Sequence, residues 1–286
     1  MKVIIYGHKG WIASYVIKYF ESINLEYISS AYKVDDELNI EEELIETNPT
    51  HMLSLIGRTH GEGHNTIDYL ELPGKLYDNI RDNLYSPLIL TNLAVKYNKH
   101  LTYMGTGCIF NSDDNSHKFT EEDTPNFFGS SYSIVKGFTD RIMHLYDNHV
   151  LNLRIRMPIT SDLSNRNFIT KILSYEKICS IENSMSVLPD LIPIMHQLMF
   201  DNETGTINFT NPGTISHNEI LNMYKEIIDN NFTWTNMTIE EQDSMLMSKR
   251  SNNHLNTKKL ENKYNILNIK DSIKKIIYDL KNLKNS

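Results

Sequence analysis

The first twenty residues constrain the fold more than any other stretch. Lys2 to Tyr6 is a short β-branched run, Gly7 follows at once, and Trp11 to Phe20 carries apolar residues at helical spacing. A strand that enters a helix through Gly7-His8-Lys9-Gly10-Trp11-Ile12-Ala13 can hold a pyrophosphate with backbone amides at the helix N-terminus. Gly7 permits the tight turn, Gly10 lets a phosphate come close, and Ala13 is small enough for helix and sheet to pack together. Gly7, Lys9, Gly10, Trp11 and Ile12 are therefore the candidate dinucleotide contacts of this turn.

The alternation continues beyond it. Leu25 to Ser29 reads as a second strand, Glu41 to Glu46 as a helix, and His51 to Ile56 as a third strand ending at Gly57. A long helix is expected from about Leu76 to Tyr97, a strand over Leu101 to Phe110, a helix over Tyr132 to Leu145, and a strand over Val150 to Ile155. Strands alternating with helices imply right-handed βαβ crossovers and a parallel sheet covered on both faces. The expected fold class is α/β, a Rossmann-type doubly wound parallel sheet with a smaller C-terminal substrate-binding lobe. Residues 1–160 read as an NADP-binding Rossmann domain. Residues 161–286, where the alternation weakens into the polar Ser161 to Asn167, short helices and a strand-like Gly205 to Asn211, read mainly as the substrate lobe, with unspecified return segments to the Rossmann core.

With 286 residues and 40% hydrophobic content the chain buries a substantial core. A net charge of −8 leaves no basic field for a nucleic-acid partner, so an anionic ligand must be held locally. The N-terminal residues lack the pattern of a secretory signal and no apolar run is long enough for a bilayer span. The two cysteines, Cys108 and Cys179, suit a reducing compartment, so a cytoplasmic protein is expected. The basic amphipathic stretch from Ile266 to Leu283 is expected to pack on the core, not on a membrane. The histidines show no metal-ligand spacing, and no metal site is expected.

The end of the second strand reads Ser29-Ser30-Ala31-Tyr32-Lys33, without the carboxylate that NAD-preferring sites place on the ribose. Ser30 and Lys33 are the candidate contacts for a 2′-phosphate, which favours NADPH over NADH, although Lys33 also reads as an ordinary solvated loop residue. Gly57, at the end of the third strand, leaves room for the cofactor.

Tyr132-Ser133-Ile134-Val135-Lys136 puts a phenol and an ammonium one helical turn apart. The lysine lowers the phenol's pKa, and the tyrosine gives a proton to a carbonyl oxygen as hydride arrives at carbon. The preceding strand ends Gly105-Thr106-Gly107-Cys108-Ile109-Phe110, where the Thr106 hydroxyl can share that carbonyl. Cys108, two residues on along an extended segment, is expected on the same side of the strand as Thr106. By itself a free cysteine is usually a small buried hydrophobe.

The glycine turn at residue 7, the threonine-bearing strand end and the Tyr-x-x-x-Lys pair together resemble the extended short-chain dehydrogenases/reductases. More closely, the chain resembles the nucleotide-rhamnose synthase epimerase/reductases of plants and giant viruses. The matching stretches are GHKGWIA, Asn79 to Asn83, GTGCIF, YSIVK, LRIRMPI, Asn167 to Ile172, Ile207 to Glu219, and Arg250-Ser251-Asn252-Asn253. Together they run through nearly the whole chain.

The resemblance implies an NADPH-dependent bifunctional 3,5-epimerase/4-reductase that converts a nucleoside-diphosphate 4-keto-6-deoxy-D-glucose, with the UDP form expected, to NDP-L-rhamnose. It implies catalytic roles for Thr106, Cys108, Tyr132, Lys136 and Lys171, with Cys108 and Lys171 as the acid–base pair of the epimerisation, as also in GDP-fucose synthase. It implies substrate-side contacts at Thr59, Asn83, Asn167 and Arg250, Asn83 also keeping a backbone kink near the lysine and Arg250 gripping the diphosphate. Two rival readings stay open on the sequence: a 4-reductase without epimerase activity, and a catalytically silent dinucleotide-binding regulatory subunit. Oligomeric state is not encoded in any motif, though homodimers are common for the fold.

Overall fold

The computed structural model describes residues 1–112 and 116–285. The N-terminal part runs β1 (Lys2–Tyr6), α1 (Trp11–Ser22), β2 (Glu26–Ser29), α2 (Glu37–Thr47), β3 (His51–Ser54), α3 (Lys75–Ile80), α4 (Ser86–Lys96), β4 (His100–Thr106), β5 (Lys118–Phe119), α5 (Ser131–His144) and β6 (Val150–Ile155). There follow α6 (Phe168–Leu173), β7 (Lys177–Ile178), α7 (Leu188–Phe200), β8 (Gly205–Asn208), α8 (His217–Ile227), β9 (Thr235–Asn236), α9 (Ile239–Met245), β10 (His254–Leu255), α10 (Lys258–Glu261) and α11 (Ile269–Asn285).

Six of the strands form one sheet in the order β2-β1-β3-β4-β6-β8, with every neighbouring pair parallel. Side chains of a strand alternate between faces, and β1 shows the result. Val3 and Ile5 join a core with Val16 and Phe20 of α1 and Leu191, Met195 and Leu198 of α7. Ile4 and Tyr6 join another with Ile40 and Leu44 of α2, Leu90 and Leu93 of α4, and Met143 of α5. Both faces are covered, and the strand order reverses at β1, so the C-terminal ends of β1, β3 and β4 open onto a switch-point crevice where such sheets bind ligands.

A third core lies outside the sheet, where Ile169 and Ile172 of α6 and Ile220 and Leu221 of α8 meet Ile269, Ile273, Ile276, Ile277 and Leu280 of α11. The basic C-terminal stretch thus buries an aliphatic stripe, each side chain stabilising by roughly 1.5–3 kcal/mol. No helix among the described residues is long and apolar enough to cross a membrane. Beyond residue 160, β8 extends the sheet beside β6 and α7 packs on the α1 face, so parts of the second half enter the Rossmann layers.

Two expected elements differ in ways that shape the site. The helix expected over Leu76 to Tyr97 is broken by a π-helical turn at Arg81–Tyr85. Pro87 has no N–H to give the Asn83 carbonyl, and that carbonyl instead accepts from the Thr139 hydroxyl of α5 at 2.6 Å. The Ser86 hydroxyl takes the Arg81 carbonyl at 2.9 Å. The strand expected to reach Phe110 ends at Thr106. Asn253 Nδ2 donates to the carbonyls of Gly107 (3.0 Å) and Phe110 (2.8 Å), and Ser251 Oγ donates to Phe110 O at 2.6 Å. These bonds pull the chain out of the sheet just before Cys108.

Candidate active site

The glycine turn opens onto the crevice. Gly7 has φ +81° and its Cα faces the Leu55–Ile56 backbone, which a Cβ would meet at 3.0 Å, so both conformation and closeness require glycine. Gly10 N donates to Gly7 O at 3.0 Å, and no side chain caps the first turn of α1. Its free amides are the fit that a pyrophosphate needs. Lys9 and Gly10 are exposed, and Trp11 and Ile12 half-buried. Trp11 Nε1 donates to Asp162 Oδ2 at 2.8 Å, and the Tyr15 hydroxyl donates to the same oxygen. Asp162 was not legible as a site residue, yet it joins the turn to the segment leading into α6.

The end of β2 departs from expectation. Ser30 is buried and its hydroxyl donates to Glu43 Oε2 at 2.6 Å, while Ala31 N donates to Glu43 Oε1 at 2.7 Å. The Ser30 hydroxyl is therefore not turned to a 2′-phosphate; it holds a carboxylate that α2 brings in from thirteen residues away. Lys33 is exposed. At the end of β3, Gly57 faces Asn83 Oδ1 at an ordinary contact distance. Asn83 itself is enclosed, its Oδ1 accepting from Arg58 N and its Nδ2 donating to Arg58 O and Asn79 Oδ1, all at 2.9 Å. It clamps the Gly57–Arg58 backbone to the π turn and has no polar atom left for a substrate, contrary to the contact expected of it.

The reductive set lies between β4 and α5. Ser130 caps α5, accepting from Ser133 N at 3.0 Å, and Ser131 N donates to Glu71 Oε1 at 2.7 Å. Ser133 Oγ reaches the Cys108 carbonyl at 2.7 Å, so the helix that carries Tyr132 also fixes the cysteine's backbone. Thr106 Oγ1 accepts from Cys108 N at 3.1 Å, closing a turn that replaces the expected extended segment. Thr106 lies on the Tyr132 side of the strand end and acts to lower the phenol's pKa, and Cys108 packs beside that ring with Tyr69 and Leu70.

Charge on Tyr132 and Lys136 is governed by burial. Burial pushes the phenol up, Cys108 adds to the push, and Thr106 opposes it. The expectation that Lys136 lowers the phenol fails because the ammonium is engaged elsewhere, hydrogen-bonded to the Tyr103 hydroxyl with its charge 4.6 Å from that ring's centre. A phenol kept protonated is nonetheless the form that donates. Burial lowers Lys136 to about 7, against the pull of Asp140 and Cys108. Tyr103 was missed because nothing local marks it; a buried tyrosine hydroxyl in need of a partner is the only hint.

The opposite wall comes from the second half of the chain. Asn167 is fully buried as the N-cap of α6, its Nδ2 donating to the carbonyls of Thr160 (2.9 Å) and Asp162 (2.7 Å). It positions α6 and does not itself face a substrate. Lys171, on α6, donates to Asn65 O at 3.2 Å; burial first, then the charges of Arg166 and Arg250, lowers it to about 8. His60 is held down at about 4 by burial and by Arg166, Arg58 and Lys171, so it is neutral. Thr59, beside it, is half-buried. Arg250 is not a free fork for a diphosphate: it pairs with Asp68 at 2.5 Å and donates to Ser248 Oγ at 2.6 Å. Burial works to raise the Asp68 carboxyl, but hydrogen bonds from Arg250, Thr66 and Ser248 outweigh it and hold it below the usual range. Arg166, half-buried, forms no carboxylate pair among the described residues.

No protein-family model matches the chain. Protein L780 of Acanthamoeba polyphaga mimivirus is 52% identical over 98% of this chain and 99% of its own length. Its crystal structure, described as a UDP-rhamnose synthase, superposes with a TM-score of 0.96 over 98% of this chain and 99% of that one. A bifunctional dTDP-4-dehydrorhamnose 3,5-epimerase/dTDP-4-dehydrorhamnose reductase of Arabidopsis thaliana is 40% identical over 96% of this chain and 92% of its own length. A dTDP-4-dehydrorhamnose reductase of Clostridium acetobutylicum, 18% identical with a TM-score of 0.82 over the whole of both chains, shares the fold. By identity, coverage and the geometry of its crevice, the chain belongs to the family of the mimiviral UDP-rhamnose synthase and the plant 4-dehydrorhamnose epimerase/reductase.

Proposed function

We propose that the chain is an NADPH-dependent 3,5-epimerase/4-reductase that converts UDP-4-keto-6-deoxy-D-glucose to UDP-L-rhamnose. The observation that carries it is the cluster of Thr106, Cys108, Tyr132 and Lys136 at the end of the sheet, with Lys171 of α6 within charge range of Arg250, whose partner Asp68 precedes the Tyr69 that packs on Tyr132. The hydrogens at C3 and C5 are both α to the C4 ketone, so removing either gives an enolate whose oxygen the Thr106 and Tyr132 hydroxyls stabilise. Cys108 and Lys171 exchange the carbon-bound protons from opposite faces, and Lys171, titrating near 8, is populated in both forms near neutrality. The glycine turn and the uncapped amides of α1 would hold NADPH, which would supply the hydride to C4. Tyr132 then supplies the proton to the C4 oxygen, with Lys136 behind it. Arg166 takes the diphosphate, the part first expected of Arg250.

In this reading residues 1–160 serve mainly the cofactor and residues 161–286 mainly the substrate, with β8 and α7 returning to the sheet. Free thiols suit a cytoplasmic setting, and a homodimer is the oligomer expected for the fold. A second reading, reduction alone, leaves Cys108 beside Tyr132 and the half-buried Lys171 without a task. The deciding experiment is incubation with UDP- and dTDP-4-keto-6-deoxyglucose plus NADPH, with NMR of the sugar. UDP-rhamnose is the expected product; a 6-deoxy sugar reduced at C4 with C3 and C5 uninverted rejects the epimerase half, and no consumption of NADPH rejects the whole.

A further inference from the structure

Two arginines lie two residues apart at the end of β6, both with almost no exposed surface, and they are treated differently. Arg154 is paired: its Nε and Nη2 donate to the two oxygens of Asp140 at 2.8 and 2.7 Å. Arg156 has only neutral partners, Nη2 donating to Asn183 Oδ1 (2.9 Å) and Ser251 O (3.0 Å) and Nη1 to Ser251 Oγ (3.4 Å). No carboxylate among the described residues forms an ion pair with it. Its Nε is buried with no partner at all. A buried cation is strongly disfavoured unless an anion compensates it.

The neighbour that can become that anion is Cys108. Gly107, the residue before it, lies against the Arg156 shaft, where a Cβ would meet Cγ at 3.1 Å and Cδ at 3.2 Å. Gly107 N also donates to Ile155 O at 3.0 Å, so the Cys108 turn is fixed against the strand end that carries Arg156. Leu255 Cδ1, which a Cβ at 107 would meet at 2.6 Å, and the arginine's shaft together leave no room for a side chain there, a physical reason for glycine between Thr106 and Cys108. Burial works to lower Arg156, and the charge of Cys108 opposes it.

We propose that Arg156 is a positioning residue whose buried guanidinium is the counter-cation of the Cys108 thiolate. The proposal rests on the reading of Cys108 as a proton-exchange group. The thiolate takes the proton from the sugar carbon, becoming the thiol, and the carbon's bonding pair passes into the enolate; the Lys171 ammonium returns a proton to the opposite face, or the two exchange parts. In either direction the anionic sulfur faces Arg156. From α5 it faces Tyr132 and Lys136, whose titration also responds to it, and from the loop after β3 the Tyr69 ring. Lys136 is the other cation, but it is lowered to about 7 and engaged with Tyr103, which leaves Arg156 as the permanent charge.

The test is alkylation of Cys108 by iodoacetamide as a function of pH, in a Cys179→Ala background so that one thiol reports. It needs no substrate, so it stands or falls apart from the proposed reaction. In Arg156→Gln the pH at which alkylation reaches half its plateau should rise by at least about one unit, and Arg156→Lys should restore most of the shift. Superimposable profiles in the parent and Arg156→Gln overturn the proposal. Should Arg156→Gln not fold, the isosteric pair Cys108→Asp and Cys108→Asn tests the same coupling with the arginine in place. At neutral pH the aspartate variant should melt higher than the asparagine variant, and equal or lower melting overturns it. Loss of deuterium exchange into the 4-keto sugar in the unsubstituted enzyme, with the alkylation shift intact, would instead reject the proposed function and leave the ion pair standing.

Discussion

The two walls of the crevice are built by different means. On the sheet side, Thr106, Tyr132 and Lys136 are nearly or fully buried, fixed by a strand end, a capped fourteen-residue helix and short local spacings. On the lobe side, Lys171 sits on a six-residue helix whose place depends on Asn167 holding the 160–162 backbone and on Asp162 reaching back to Trp11 and Tyr15. One wall is an intrinsic product of the sheet. The other is assembled by long-range polar contacts, and burial, with the repulsion of Arg166 and Arg250 added, depresses Lys171. The sheet wall should therefore carry chemistry that tolerates no displacement, and the lobe wall chemistry tuned by charge and pH.

The largest expected effect breaks the sheet wall. Tyr132→Phe keeps the ring against Tyr69 and Leu70 but removes the proton donor, so reduction of a pre-epimerised 4-keto sugar should fall by roughly a hundredfold or more. Stopped-flow loss of NADPH absorbance measures it. A folded variant with nearly unchanged turnover would move the reductive centre elsewhere.

Breaking the lobe wall should leave that step standing. In Lys171→Met, deuterium incorporation at C3 or C5 in heavy water should slow by about tenfold to a hundredfold, while reduction of the pre-epimerised sugar changes only a few-fold. The pH profile sharpens the assignment. With Lys171 titrating at about 8, it is mostly ammonium at pH 7 and mostly amine at pH 9. If it donates the proton, exchange falls by about tenfold per unit above pH 8; if it accepts, exchange falls below pH 8. A rate flat from pH 7 to 9 would detach Lys171 from the step.

The joint between the walls gives a smaller effect. Asp162→Asn keeps one oxygen for Trp11 and Tyr15 but turns an NH2 toward Ser164 N, which donates to the other carboxylate oxygen at 2.9 Å, so one donor is left unsatisfied and stability should fall by about 1–3 kcal/mol. Denaturant unfolding followed by tryptophan emission reads it directly, since one of the two tryptophans is the partner. Exchange should suffer more than reduction, because α6 moves and α5 does not; equal losses in both would mean that the joint serves the whole fold.

What the sequence disclosed follows the same division. Parallel strands, the glycine turn and the Tyr132–Lys136 pair are written in spacings of one to four residues, and each lies where those spacings place it. The π turn at Arg81–Tyr85 was hidden because it arises from Pro87 together with Thr139, more than fifty residues away. Asp162, Tyr103 and Arg156 act through partners from 33 to 151 residues distant, beyond any local pattern. Asn83, Asn167 and Arg250 were singled out by resemblance, and the structure engages all three in holding backbone or carboxylates. A matching residue can mark a shared scaffold as readily as a shared contact.

The smallest expected effect concerns cofactor choice, where the sheet wall itself was misread at one residue. With Ser30 turned to Glu43, the 2′-phosphate side keeps Lys33 as its exposed cation, while both Glu43 oxygens are engaged by Ser30 and Ala31 and so do not point a free carboxylate at the ribose. NADPH should accordingly bind at least as tightly as NADH in a fluorescence titration. Lys33→Ala should weaken NADPH by about two- to fivefold, the range of an exposed ion pair, and leave NADH unchanged. Raising the salt should erase that difference, because an exposed pair is screened. Ser30→Ala acts differently: it frees one Glu43 oxygen beside the ribose, so it should weaken NADPH while sparing or helping NADH. NADH bound about tenfold more tightly by the unsubstituted enzyme would show that Glu43 already dominates this subsite and that Lys33 is only a solvated loop residue.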